Sequence, residues 1–379
     1  MHLGLLRINL ALALVALCLS PRAWAEDSRQ VFTGTLGKAA IVVELDARYN
    51  EGRYFYRKYR TDLALETSKD GDALVMLEGA AMDGDSRPTL RLLLTLSGWS
   101  GEWKAPSGKT LKVDLQPARL PDVPADAAPY LAQLHDTQPY EYLRLQGLLL
   151  KKGKTETFMG YTLQWWSEPK SGASLFEVVS GYAPAAQERI NQYLRARLWS
   201  EVSQYYGCSG SYAQSAQPLW MSSSVMSVRV STEYYCGGAY PDQNNESLNF
   251  DTRTGQLLSL EDVLWVGQGE PLHREELPDA SSEEISNYRA KELAPWLVEQ
   301  LSKRYPTEMT VVAEGENDCG YDEPEPWQFP MWQFGEKGVT FFPSYPHVMA
   351  VCGYVEWGVL PYGLLKQHPG AVKLQLPES

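Results

Sequence analysis

Apolar and polar residues alternate in short runs from Val31 to about Gln116, as in Ala40-Ile41-Val42-Val43-Glu44-Leu45, Gly52-Arg53-Tyr54-Phe55-Tyr56 and Leu111-Lys112-Val113-Asp114-Leu115. A period of two sends successive side chains to opposite faces, so each run reads as a half-buried strand. Lys69-Asp70-Gly71-Asp72 and Pro106-Ser107-Gly108-Lys109 separate the runs as turns. The pattern predicts an all-β domain of antiparallel hairpins over residues 26–117. Pro121 and Pro124 then sit amid Ala and Asp, and residues 118–139 read as an extended linker.

Beyond the linker the periodicity becomes mixed. Tyr140 to Leu150, Thr157 to Trp166 and Leu219 to Tyr235 read as strands. Pro184 opens a helix whose positions Ile190, Tyr193, Leu194, Leu198 and Val202 share one face. A second helical stretch begins after Ser281, where Glu284 completes a capping box, and is kinked or divided at Pro295. Met309 to Ala313, Val339 to Phe342 and Tyr354 to Leu360 close as strands. The expected class is α+β: an N-terminal all-β hairpin domain, then an α+β domain over 140–379 with helices on an antiparallel sheet.

Residues 1–25 read as a cleavable export signal. Arg7 precedes an apolar run from Ile8 to Leu19, too short to span a bilayer, and Ala23-Trp24-Ala25 has the small-x-small form of a cleavage site. A mature chain starting at Glu26 is expected in the periplasm, with secretion as the alternative and no membrane anchor. It would hold 32 basic residues (34 minus Arg7 and Arg22) against 47 acidic, a net charge of −15. Nucleic acid and anionic membrane need basic clusters that this composition lacks, so a basic partner is favoured.

Export also changes the cysteine count. Cys18 leaves with the signal, and Cys208, Cys236, Cys319 and Cys352 remain, an even set that reads as two disulfides in an oxidising compartment. Of three possible pairings, Cys208 with Cys236 and Cys319 with Cys352 are favoured, because each pair flanks a compact strand-rich unit. No C-x-x-C or H-x-x-x-H spacing accompanies them, and no metal or other cofactor is expected.

Two runs stand out as turns: Cys236-Gly237-Gly238-Ala239-Tyr240-Pro241, and Asn249-Phe250-Asp251-Thr252-Arg253-Thr254-Gly255-Gln256. In the second, Asp251 can form an Asx-turn, Gly255 can take positive φ, and Phe250 and Leu257 can anchor opposite strands. With Phe341-Phe342-Pro343-Ser344-Tyr345 and Val359-Leu360-Pro361, these runs resemble a domain of unknown function in exported bacterial proteins. It is shared by the extracellular part of the anti-sigma factor RsiV and the non-catalytic part of the peptidoglycan deacetylase PdaC. The resemblance covers roughly Thr155 to Gln367 and implies an envelope domain that binds, since RsiV-like domains recognise lysozyme. Neither the cytoplasmic anti-sigma segment nor the deacetylase domain of those relatives is expected here.

No G-x-S-x-G elbow, H-E-x-x-H helix, phosphate loop or dinucleotide fingerprint occurs, and His135, His273, His347 and His368 lie on separate segments. One acidic segment draws attention: Glu314, Glu316, Asp318, Asp322, Glu323 and Glu325 crowd around Cys319 and run into Trp327, Phe329 and Trp332. It can be read as a glycosidase carboxylate pair, a calcium site, a solvated loop pinned by a disulfide, or an acidic aromatic patch for a basic protein. The last fits the resemblance best. The expectation is a binding or inhibitory protein that recognises a basic envelope-active protein such as lysozyme through Asp322, Glu323, Glu325, Trp327 and Trp332. The alternative is a peptidoglycan-directed enzyme or sugar-binding protein.

Overall fold

A computed structural model describes residues 29–48, 50–79, 86–125, 127–237, 240–272, 282–310 and 319–378. The expected signal segment, Ser281 of the expected capping box, and Glu314, Glu316 and Asp318 lie outside them. Among the described residues no helix is long and apolar enough to cross a membrane.

The alternating runs form eight strands: β1 (Arg29–Leu36), β2 (Ala39–Asp46), β3 (Glu51–Tyr56), β4 (Leu63–Asp70), β5 (Ala73–Glu78), β6 (Thr89–Thr95), β7 (Gly98–Lys104) and β8 (Thr110–Pro117). Each pairs antiparallel with the next, and β8 returns to β1 with Gly34 opposite Leu115, so the sheet closes into a barrel. Closure corrects the expected hairpin domain. It removes the edges that an open set of hairpins would expose, and eight strands leave an interior that side chains can fill. Phe32, Ile41, Val43, Tyr54, Leu65, Met76, Leu90, Leu92, Val113 and Leu115 fill it. Glu78 is held there by Tyr54 Oη at 2.7 Å and Trp103 Nε1 at 3.0 Å. Gly34 and Gly101 sit where strands crowd: a Cβ would lie 1.9 Å from the carbonyl oxygen of Asp114 and 2.0 Å from that of Arg91 respectively.

The chain after the barrel packs instead of trailing as a linker. Pro129 and Pro139 occupy first-turn positions of α1 (Pro129–Thr137) and α2 (Pro139–Leu145), where a missing N–H costs nothing. Leu134 is buried, and Leu120, Val123 and Leu131 pack on the same core. Tyr140 to Leu145, expected as a strand, is the second of these helices. Its other side, Tyr140 and Leu143, packs on Val42 and Phe55 of the barrel.

Charged groups lock that junction. Arg144 is fully buried; it donates to Asp62 Oδ1 at 2.7 Å, to Glu141 Oε2 at 2.8 Å and to the Tyr206 carbonyl at 3.1 Å. Arg53 on β3 reaches Glu44 at 2.8 Å, Glu141 at 3.0 Å and Asp62 at 3.3 Å, and Tyr140 Oη donates to Asp62 at 2.6 Å. Burial pushes the Glu141 carboxyl up, but Arg144 and Arg53 together outweigh it and hold the group below the usual carboxylate range.

Three small sheets follow. The first is β9 (Lys151–Phe158), β10 (Tyr161–Ser167) and β11 (Ser174–Ser180). The long helix α3 (Pro184–Gly207) lies between it and the second sheet, made of β12 (Ser211–Met221), β13 (Val225–Tyr235) and β14 (Asp242–Asp251). Ile190, Leu194, Leu198 and Val202 enter the shared core, as their helical spacing predicts. Tyr193 stays partly exposed but meets the Phe250 ring at 5.6 Å. Asn191 caps a backbone position of β11, accepting from Val178 N and donating to Val178 O, each at 2.8 Å.

The turn after β14 forms as its residues predict. Arg253 N donates to Asp251 Oδ1 at 2.9 Å, Gly255 has φ +77°, and Phe250 bridges Leu257. Then come α4 (Leu260–Val263), α5 (Ser282–Tyr288) and α6 (Ala294–Arg304), with a π-helical turn at Arg289–Leu293 between the last two. Pro295 accounts for the break: its ring crowds the carbonyl four residues earlier, and the π turn absorbs the offset. The third sheet is β15 (Met331–Phe334), β16 (Val339–Phe342) and β17 (Val359–Leu360). It packs with α6 over Leu293, Leu297, Leu301, Trp327, Phe334 and Phe341. The strand expected over Tyr354 to Leu360 shrinks to its last two residues, and Met309 lies in a turn, with the rest of Met309 to Ala313 mostly outside the described residues. The architecture is thus mostly β, a closed barrel followed by small sheets, and not helices covering one antiparallel sheet.

Both disulfides join the expected partners, Cys208 with Cys236 and Cys319 with Cys352. The first ties the end of α3 to the end of β13. The second ties the segment before β15 to the 3-10 turn His347–Gly353.

Candidate functional site

A groove of about 840 Å³ runs beside β14, within the range of ligand-binding clefts. One wall is β14 itself, from Asp242 to Leu248; the other is built from Phe329 to Trp332 and Phe342 to Tyr345. His347, whose Nε2 lies 2.8 Å from the Pro241 carbonyl, marks one end. Glu261 and Arg289 mark the other, paired at 2.6 and 3.0 Å, with the guanidinium 5.3 Å from the centre of the Phe329 ring. Midway, Tyr354 Oη accepts from Asn245 Nδ2.

β14 walls the groove because it is the outer strand of its sheet. Its register with β13 runs unbroken from Asp242 opposite Tyr234 to Asp251 opposite Val225. In such a strand the backbone groups of alternate residues point to the same side. Asn249 O accepts from Leu258 N at 2.7 Å and Asp251 N donates to Gln256 O at 2.9 Å, so odd-numbered residues point outward. Among the described residues, the returning chain covers that edge only at its last residues. Gln243, Asn245 and Ser247 therefore turn their backbone groups into the groove. Gln243 N is taken by Asp242 Oδ1 at 2.8 Å, and Ser247 O is approached by Asn249 Nδ2 at 3.4 Å.

Among the described residues, three carboxylates and one guanidinium line the groove: Asp242, Glu246 and Glu261 against Arg289, a balance of 1 − 3 = −2. Glu246 also pairs with Arg197 of α3, which holds Glu201 at 2.6 Å. Asp242 accepts from Tyr234 Oη at 3.1 Å and lies 3.8 Å from His347 Nε2.

The residues singled out in the acidic segment separate. Glu323 and Glu325 are exposed and Asp322 is half-buried, on the turn leading to the groove's outer wall but not lining it. Trp327 has no exposed surface; its Nε1 donates to the Tyr321 carbonyl at 2.8 Å and its ring meets Trp357 at 6.1 Å. A ring so enclosed belongs to the core and offers nothing to a partner docked on this surface. Trp332, 8% exposed, lines the groove and its carbonyl accepts from Asn249 Nδ2 at 2.9 Å. The Cys319–Cys352 bridge braces this wall, helped by Tyr321 Oη, which donates to the Cys352 carbonyl at 3.0 Å.

Sequence reasoning missed Asp242, Asn245, Ser247 and Tyr354. A signal was present: Asp242-Gln243-Asn244-Asn245-Glu246-Ser247 is an unbroken polar stretch inside a strand, a mark of an edge held open to solvent. Comparison with protein-family models and with curated proteins finds no match to this chain.

Proposed function

We propose that this chain is an exported binding protein of the bacterial periplasm that recognises a basic envelope-active protein through the groove beside β14, with lysozyme the first partner to test. The observation that carries the reading is the groove itself: a long, net-acidic channel that presents hydrogen-bonding backbone and side chains on one wall and aromatic rings on the other. Such a surface suits a protein segment better than a small apolar ligand. The overall charge of −13 and the exposed Glu323 and Glu325 beside the outer wall add a field that draws a cationic partner. Two disulfides fit an oxidising compartment. The resemblance to the RsiV-like domain points the same way.

Binding kinetics of the mature chain with lysozyme over a salt series test this. The expected result is association that slows as salt rises, with dissociation changing less. Absence of binding at low salt would reject lysozyme as the partner.

A second reading, a glycan-binding or peptidoglycan-directed site, is favoured by one feature: Asn245 donates to the hydroxyl of the exposed Tyr354, and Gln243 and Asn244 line the same groove, a combination of amides and an aromatic ring that suits a sugar. Retention on insoluble peptidoglycan, or its turnover, together with no binding to lysozyme at low salt, would favour it.

A further inference from the structure

We infer that the groove takes an extended, lysine- or arginine-bearing polypeptide segment that adds to the second sheet as a fourth strand alongside β14. The inference rests on the protein-binding reading above and specifies the form in which the partner is held.

Three observations converge on a strand. First, among the described residues the outward backbone groups of β14 meet another segment's backbone only at its C-terminal end, where Asn249 O and Asp251 N pair with the returning chain, while Gln243 N and Ser247 O are taken by neighbouring side chains of β14. Upstream, Asn245 N–H and C=O and Ser247 N–H point into the groove with no hydrogen-bond partner among the described residues. A row of unused donors and acceptors on a strand edge is a template for another strand. Second, the open stretch is long enough to specify a register. Asp242 to Ser247 spans about 20 Å at the strand rise, enough for several hydrogen bonds. Third, the charge along this stretch selects the occupant. Among the described residues Asp242 and Glu246 flank the open amides and Glu261 closes the far end, three carboxylates against Arg289 in the groove and Arg197 behind Glu246. Cationic side chains alternating along an extended segment would meet these acids, while acidic segments would be repelled.

The protein resists indiscriminate pairing at this edge. Asp242, Glu246 and the polar side chains between them keep the edge hydrated, and Phe329 and Tyr345 face it across the groove. An unguarded edge would pair with a second copy of the same strand; here two copies would set Asp242 and Glu246 against one another.

The test combines an amide readout with a variant. Full-length mature protein is mixed separately with lysozyme and with a synthetic ten-residue peptide of alternating lysine and threonine, and hydrogen exchange is followed at single amides. The expected result, with whichever probe binds, is slowed exchange at Asn245 and Ser247. Ser247→Pro removes one outward N–H without touching a bond to β13, since Ser247 faces away from that strand. It is expected to weaken binding roughly tenfold, the scale of one lost hydrogen bond at a pairing edge. Glu246→Gln, which leaves the backbone unchanged, is expected to weaken the peptide a few-fold at low salt. If lysozyme binds but neither amide slows and Ser247→Pro binds as well as the parent, the strand inference falls while the binding reading stands. If lysozyme does not bind but the peptide does, with both amides slowed, lysozyme is rejected and the strand inference stands. Failure of the peptide to slow either amide in protein that also ignores lysozyme overturns the inference.

Discussion

Two charged regions of the molecule differ in how far their hydrogen-bonding capacity is used. At the junction of barrel and helices, Arg144, Asp62 and Glu141 are drawn together largely out of water with the partly exposed Arg53, each carboxylate touching two guanidinium groups, with Tyr140 and Ser203 donating further bonds. In the groove, Asp242, Glu246 and the open edge of β14 face solvent with hydrogen-bonding capacity left over. A saturated cluster is committed to the fold, because any group removed leaves others buried without a partner. An unsaturated one is available to something else. Density of charge thus fails to mark a binding site; spare capacity does.

The junction is most vulnerable at Arg144. Replacement by Met leaves Asp62 and Glu141 without their buried cation, and a loss of about 3–5 kcal/mol is expected in denaturant unfolding. A change below about 1 kcal/mol would show the junction to be dispensable. Next in size is the Cys319–Cys352 bridge. Replacing both cysteines by serine should cost about 3 kcal/mol on the chain-entropy view, and should expose the segment between them to proteolysis before the barrel. Cleavage in the barrel first would contradict the bracing role given to that bridge.

The acid side of the pH profile sharpens the contrast further. Glu141 titrates lower in the folded protein than in the unfolded chain, so its contribution is complete above the ordinary carboxylate value of about 4.3 and is lost as pH falls through the folded value. Stability should therefore fall below about pH 4.3, and Glu141→Gln, less stable at neutral pH, should lose less over that range. Equal slopes in both proteins would remove Glu141 from the cause. The smallest effect belongs to the exposed acids. Asp322→Asn, Glu323→Gln and Glu325→Gln together should shift stability by no more than about 0.5 kcal/mol while slowing association with a cationic partner, a separation that thermal unfolding and stopped-flow kinetics can resolve.

Much of the local structure was legible in the residues. The period-two runs are barrel strands, the spacing from Ile190 to Val202 is a helix face, and Asp251 and Gly255 form the turn their chemistry favours. Closure was not legible, because the pairing of β1 with β8 joins residues some eighty positions apart and leaves no local mark. Tyr140 to Leu145 misled for a physical reason. Its aromatic and aliphatic residues suit a strand, yet Glu141 and Arg144 stand three apart, a spacing that one helical turn brings together, and Arg144 is buried, so the charged positions do not mark solvent. Trp327 misled similarly: placed beside acids it looks like a surface anchor, but its indole N–H finds the Tyr321 carbonyl and the ring sinks into the core. The groove escaped notice because β14, Phe329 to Trp332 and Tyr354 meet only in three dimensions, partly through a disulfide whose partners were expected but whose neighbours in space were not.

Zero-length coupling of carboxylates to lysines in a mixture with lysozyme tests most directly which charged region meets a partner. The account predicts conjugates at groove and rim acids, Asp242, Glu246, Glu323 and Glu325, suppressed by salt. Conjugates confined to barrel acids such as Glu51, Glu66 and Asp70, with none beside β14, would contradict it.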